Sequence, residues 1–215
     1  MTIIERLARE ATFLRRHAKK GKGVKRLPAL WLFTDPHRIP DPGPILAGLP
    51  RGAGVVYRAF GRPDAVREGR RLAKLARQRG LTLLVGRDVH LARAIGADGV
   101  HFPEKVRLGL QRRPWRGAIF TMAAHGAMGI SRCASVKPDL VFLSAAFASN
   151  SPSAKQAWGA TRFSALSRQS QTPVVALGGV TVTTAKRLRQ SGAYGLAAVE
   201  ELAKGAIEKP ANRRP

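Results

Sequence analysis

Residues able to do chemistry in this chain follow short apolar runs. The clearest case is VVALGGVTVTTAKRL, Val174 to Leu188, where a β-rich run after Pro173 stops at Gly178-Gly179 and resumes with helix formers. A glycine pair at a strand-to-helix turn lets backbone N–H groups approach a ligand, and the helix start favours an anion such as phosphate. The same pair also serves as a bare β-to-α turn, and the stretch alone leaves both readings open. Other apolar runs end in Thr34-Asp35, Arg58, Gly86-Arg87-Asp88, His101, His125, Ser144 and Glu200. That set is rich in basic and polar groups, suited to holding a small anion, and its histidines bring imidazoles that exchange protons near neutral pH.

Eight apolar runs carry these residues: Ala29–Thr34, Gly54–Arg58, Thr82–Val85, Gly99–Phe102, Ala118–Met122, Leu140–Ser144, Val174–Leu177 and Gly195–Val199. Most of the segments between them are helical in pattern. The pattern is clearest in PDAVREGRRLAKLARQRG, VHLARAIGA and TTAKRLRQSGA, each closing on a glycine-containing stop before the next run. Eight β-then-α units predict an α/β fold, a (β/α)8 TIM barrel over residues 29–208 with compact loops. In such a barrel the polar residues after each strand share one face, and the turn after the seventh strand lies beside the end of the eighth, where barrels often hold a phosphate. An open doubly wound sheet is the competing architecture. It lacks support because no Gly-rich first turn is followed by a ribose-binding acid.

Residues 1–28 read as a basic amphipathic extension, with Ile3, Leu7, Ala11, Leu14 and Ala18 on one helical face. Packing of that face against the barrel is expected, with Gly21-Lys22-Gly23 as the joint and residues 209–215 as a frayed tail. The formal net charge is +25. The extension holds nine Lys or Arg and two Glu, which leaves 29 basic and 11 acidic residues in the rest of the chain, so the excess is distributed. Such a field attracts phosphorylated metabolites, nucleic acid or acidic surfaces without choosing among them. No paired zinc ligands or interleaved aromatics mark a nucleic-acid module. The single cysteine, Cys133, excludes an internal disulfide, and no long uncharged apolar stretch reads as a signal or membrane span. A cytoplasmic protein is expected; the oligomeric state is left open.

The motifs WLFTD, VGRDVHLARAIGADGVHF, AAHG, PDLVFLSAAFASNS, WGATRFSALSRQSQTPVVALGGV and SGAYGLAAV together resemble the thiamine phosphate synthase family, which includes a thiazole tautomerase branch. The resemblance runs from about Leu30 to Val199. It implies a barrel that binds a thiazole phosphate, with Gly178 and Gly179 as phosphate-binding glycines and Arg58 as the retained arginine of the substrate site; Ser144 and Ser149, in the loop after the sixth strand, match the family's polar substrate loop loosely, and Arg87 is a further candidate phosphate contact from its own charge. Ser151 matches the same polar loop loosely. Synthases of the family join the thiazole to a pyrimidine methyl diphosphate with Mg²⁺, which requires a metal and basic groups around the leaving diphosphate. His125 matches a histidine that the tautomerase branch uses for proton transfer, a reaction needing no metal. His101 is expected to orient a strand end.

The departures cluster at the metal. Where the family shows Gln-x-Arg-x-Lys, this chain has Val56-Tyr57-Arg58-Ala59-Phe60; Gly86-Arg87 replaces Asn-Asp; His101-Phe102-Pro103-Glu104-Lys105-Val106 replaces His-x-Gly-Gln-x-Asp. Both metal-binding aspartates are missing, so no metal ligand is assigned and no cofactor is expected; Mg²⁺ would require Asp88 or Glu104 to substitute. Alternatively, Arg87 and Lys105 neutralise a diphosphate without metal. Glu200 stands where the family often has serine, and a carboxylate beside a phosphate repels it unless it turns away or meets a cation. Three functional readings follow: an atypical synthase with weak Mg²⁺-dependent turnover, a metal-independent tautomerase, or a non-catalytic anion-binding barrel.

Overall fold

In a computed structural model, eight parallel strands close into a barrel in chain order. The structure describes residues 1–18, 27–106, 113–149 and 157–207. The strands are β1 (Leu30–Phe33), β2 (Gly54–Tyr57), β3 (Thr82–Gly86), β4 (Gly99–Phe102), β5 (Ile119–Ala124), β6 (Leu140–Leu143), β7 (Val174–Ala176) and β8 (Gly195–Ala198). Ring closure is by β8 on β1, with Trp31 opposite Ala197. The open-sheet alternative is thereby excluded. Around the strands lie α1 (Ile3–His17), α2 (Gly43–Gly48), α3 (Ala65–Arg79), α4 (Val89–Ile95), α5 (Ala127–Val136), α6 (Gly159–Gln169), α7 (Val182–Lys186) and α8 (Glu200–Ile207). Between β4 and β5 no helix occurs among the described residues. The expected Gly21–Gly23 joint, Ser151 and the 209–215 tail lie outside the described residues.

Strand alternation divides the core in two. Inward-facing Trp31, Phe33, Val56, Leu84, Phe142 and Val175 fill the barrel, and a larger outer cluster packs strands against helices. Edge-to-face contacts of Phe142 with Trp31 and Phe33, at 5.4 and 4.8 Å between ring centroids, lock the interior. The barrel is therefore a packed plug and not a pore, which confines any ligand to its mouth.

Helix α1 starts at a capping box of Thr2 and Glu5 and buries Ile4, Leu7, Ala11 and Leu14 against β8, α7 and α8. Leu7 and Leu14 are almost fully enclosed, each contributing about 1.5–3 kcal/mol. Glu10 is buried on the same face and receives two hydrogen bonds from Arg189, at 2.8 and 2.6 Å, which hold its carboxyl below the usual range. Among the described residues no helix is long and apolar enough to cross a membrane.

Candidate functional site

At the C-terminal mouth of the barrel a cavity of about 500 Å³ opens over the ends of β1, β2, β6, β7 and β8. Its floor on one side is the glycine turn. Strand β7 ends with Leu177 donating to the Leu143 carbonyl, after which Gly178 and Gly179 take φ of +90° and +60°. Two successive left-handed residues curve the backbone into a concave row of N–H groups, a shape suited to anions. Among the described residues the N–H groups of Gly178, Gly179 and Val180 meet no acceptor.

The helix start that follows is a different matter. Thr181 and Thr184 cap α7 reciprocally, and the Val182 N–H donates to Glu201 Oε1 at 3.1 Å. Open donors are thus the turn's own, one step before the helix. The glycines have a second task as well. The loop after β6 docks on the turn, with Ala146 N–H on the Leu177 carbonyl (2.9 Å) and Phe147 N–H on that of Gly178 (3.0 Å). A Cβ on Gly179 would run into the backbone of Phe147 and Ala148, and one on Gly178 would come within 3.0 Å of Ala145.

Four cations line the cavity: Arg38, Arg58, Arg187 and Lys204. Arg58 is held in place by the Thr34 carbonyl (2.6 Å) and Asp35 (3.3 Å), and its guanidinium sits over the rings of Phe33 and Phe60. Burial lowers its pKa to about 10, which leaves it charged at neutral pH. Asp35 also holds Arg38 through two bonds, at 2.8 and 3.0 Å. Burial opposes ionisation of Asp35, yet the hydrogen bonds and charge of Arg38, with Arg58, outweigh it and keep the carboxyl below its ordinary range. Arg38 reaches Glu200 at 3.1 Å as well, so the carboxylate at the end of β8 faces a cation.

Ser144 and Ser149 line the same cavity. Ser144 Oγ lies 3.0 Å from His125 Nδ1, which ties an exposed imidazole at the rim to the cavity wall. The His125 N–H in turn donates to Glu104 Oε2 at 2.5 Å.

Arg87 does not line that cavity. It lies, with a left-handed φ of +68°, in a separate hollow with Phe102, Pro103, Lys105 and Val106. Asp88 spends its carboxylate on the N-terminus of α4, accepting from the Leu91 N–H at 2.8 Å. With Glu104 Oε2 accepting from the His125 backbone N–H, each of the two carboxylates that could have received Mg²⁺ already has one oxygen engaged in the fold. No group of three or more His, Cys, Asp or Glu side chains converges on a metal-sized site among the described residues. Among the described residues no set of oxygen ligands of the kind the ion takes is assembled. His101 is buried between Phe33 and Phe142, bonded through Nδ1 to Thr121 Oγ1 at 3.0 Å; burial, then the charge of Arg58, pulls its pKa down to about 3.

Arg38, Arg187, Lys204 and Glu201 escape the strand-end reading. Arg38 reaches the mouth only because residues 35–39 turn back, with Arg38 and Ile39 N–H groups on the Asp35 carbonyl. A signal did exist for Lys204, four residues after Glu200 on α8 and hence on the same helical face.

The sequence model of thiamine monophosphate synthase matches residues 49–202. A thiamine-phosphate synthase of Anoxybacillus flavithermus is 29% identical over 142 residues, 65% of each chain. A putative thiamine-phosphate synthase 2 of Aquifex aeolicus is 32% identical over 138 residues, 60% of this chain and 74% of that one. The chain thus spans about two thirds of the length of the curated relatives it matches. Among solved structures, thiamine phosphate pyrophosphorylase from Pyrococcus furiosus superposes with a TM-score of 0.71 at 20% identity, covering 82% of this chain and 91% of that one, a likeness of fold.

Proposed function

Because the chain belongs to the thiamine monophosphate synthase family, we propose that its barrel mouth binds a thiazole phosphate and acts on it by metal-independent proton transfer. The observation that carries this reading is the row of N–H groups at Gly178, Gly179 and Val180, free of acceptors at the edge of a cavity lined by four cations. A phosphate dianion would accept from that row while Arg187 and Lys204 offset its charge, and the thiazole ring would lie toward Phe33 and Arg58. Arg38, by pairing with Glu200, takes up the carboxylate that would otherwise oppose the phosphate.

Proton transfer is favoured by the His125–Ser144 contact. With Nδ1 protonated and donating to Ser144, Nε2 presents its lone pair at the rim: it accepts a proton from one ring position and returns it to another, with no net gain or loss. Magnesium-dependent coupling to a pyrimidine diphosphate fits poorly, since Asp88 and Glu104 are already bonded and Arg87 adds positive charge. A cytoplasmic location accords with a single, buried, free Cys133.

Calorimetry with thiazole phosphate, beside a tautomerisation assay with and without chelator, tests the proposal. Binding by the wild type and by His125→Ala within about threefold is expected, with turnover in the variant down by about 10²–10⁴-fold. Binding without turnover in either protein would leave an anion-binding barrel. Coupling abolished by chelator would overturn the metal-free reading.

A further inference from the structure

On the outside of the barrel, α1 and α7 form a second positively charged region, next along the chain from the cavity-lining Thr184 and Arg187, that the family reading does not use. Two adjoining hollows of about 580 and 350 Å³ lie there, sharing Arg9, Glu10 and Arg189. Arg16 and His17 line the first, and Arg6 and Lys186 the second. Only Arg189 is paired, with the buried Glu10; Arg6, Arg9, Arg16 and Lys186 have no ion-pair partner among the described residues. Glu5, the other acid of α1, is folded back on the Thr2 N–H. The face therefore presents four cations without an ion-pair partner on two packed helices, two of which, Arg9 and Lys186, lie near enough to Glu10 to help lower its pKa; α1 is sealed to the barrel by Leu7, Ala11 and Leu14.

We propose that this α1–α7 face binds the phosphodiester backbone of single-stranded RNA, independently of the mouth. Charge complementarity sets the class of partner: a cluster of cations that outnumbers its one buried carboxylate, Glu10, matches a chain of regularly spaced phosphates. A bilayer fits less well. Helices that lie in a membrane surface insert their apolar face, whereas the apolar face of α1 is consumed by the core. Of the exposed large hydrophobic side chains among the described residues, only Met1 lies on this face.

The test uses the full chain and a labelled 20-nucleotide polyuridine, followed by fluorescence anisotropy at two or more salt concentrations. Wild type is expected to bind with a Kd of about 1–100 µM near physiological salt. The triple variant Arg9→Glu, Arg16→Glu, Lys186→Glu leaves the apolar face of α1 unaltered, and denaturation alongside shows whether charge reversal at Arg9 and Lys186, both near Glu10, disturbs the Glu10–Arg189 pair. The triple variant should weaken binding at least tenfold and lower the slope of log affinity against log salt by about 2. A control of equal charge change, Arg70→Glu, Lys74→Glu, Arg77→Glu on α3, should cost less than threefold. The neutral set Arg9→Gln, Arg16→Gln, Lys186→Gln provides a milder version should the reversal disturb folding, and excess thiazole phosphate should leave the RNA bound. Equal loss in the α3 control would reduce the effect to net charge and overturn the proposal. So would displacement by thiazole phosphate, absence of RNA binding, or binding confined to vesicles of phosphatidylglycerol and phosphatidylcholine.

Discussion

The two sides of the barrel mouth have been treated differently. On the β7–β8 side the backbone N–H groups of the glycine turn meet no acceptor, and Arg187 and Lys204 no ion-pair partner, among the described residues, while Glu200, Glu201 and the threonines on the same wall are already bonded. Across the mouth, at β3 and β4, the side chains have been drawn into the fold: Asp88 caps a helix, Glu104 holds the β5 turn, and His101 is buried and neutral. An anion site made of main chain survives sequence change because any residue supplies the N–H, provided the backbone keeps its shape. Magnesium needs particular carboxylates, so a change of residue removes the site outright.

The largest effect is expected where backbone shape is the whole design. Gly179→Ala places a Cβ against the backbone of Phe147 and Ala148 and imposes a left-handed conformation on alanine, which should cost about 2–4 kcal/mol and abolish detectable thiazole phosphate binding. Gly178→Ala, whose Cβ meets Ala145 at 3.0 Å, should be milder, at about 1–2 kcal/mol. Chemical denaturation alongside calorimetry separates stability from affinity. A folded Gly179→Ala protein that binds as tightly as wild type would show that the turn is only a seat for the β6 loop.

On the opposite side, disturbance should appear as lost stability. The folded-state pKa of His101 is depressed to about 3, so between pH 6.5 and 3 the unfolded chain takes up a proton that the native state refuses. Stability then falls as pH falls, by about 2 kcal/mol from pH 7 to pH 5 for this one group. Asp35 and Glu10, with lowered pKa values, hold their stabilisation above the ordinary carboxylate range and lose it only at more acid pH, as it falls through those depressed values. His101→Gln retains a partner for Thr121 but cannot titrate, and should flatten the dependence between pH 7 and 5. An unchanged slope in urea unfolding of that variant would assign the effect elsewhere.

These contrasts explain what could be read from sequence. All eight strands were legible because each is a short apolar run between breakers; β5 simply continues two residues further, to Ala124, where its partner β6 still offers hydrogen bonds. The glycine turn was legible as a candidate anion site, but its docking of the β6 loop was not, since that contact joins segments about thirty residues apart. Arg38 was hidden for the same reason: its reach depends on how residues 35–39 turn, not on any spacing. Arg87, read as a cation standing where the family has an aspartate, lines a hollow other than the glycine-turn cavity.

Glu200 offers a smaller test of the β7–β8 side. Its carboxylate shares Arg38 with Asp35, so Glu200→Gln removes a negative charge from the cavity edge and releases Arg38 from one of its two acids. Affinity for thiazole phosphate should rise by about threefold at low salt, and the gain should shrink in high salt as the charges are screened. Weaker binding by the variant would mean that the carboxylate touches the ligand itself.

The smallest effect is expected from magnesium, and here a near-null result is informative. Millimolar Mg²⁺ should change thiazole phosphate affinity of the wild type by less than about twofold, because each carboxylate on the β3–β4 side already has one oxygen engaged and Arg87 adds positive charge. Arg87→Asp returns an acid to the position after β3, and aspartate tolerates the left-handed backbone that Arg87 adopts. One carboxylate is still a poor site for a hard ion that keeps most of its waters, and Lys105 stays close by in the same hollow. The variant should therefore gain no more than about a threefold Mg²⁺ effect, read by calorimetry with and without the ion. A large gain from this single change would show that the second ligand was never lost, and that Glu104 leaves His125 when a metal arrives.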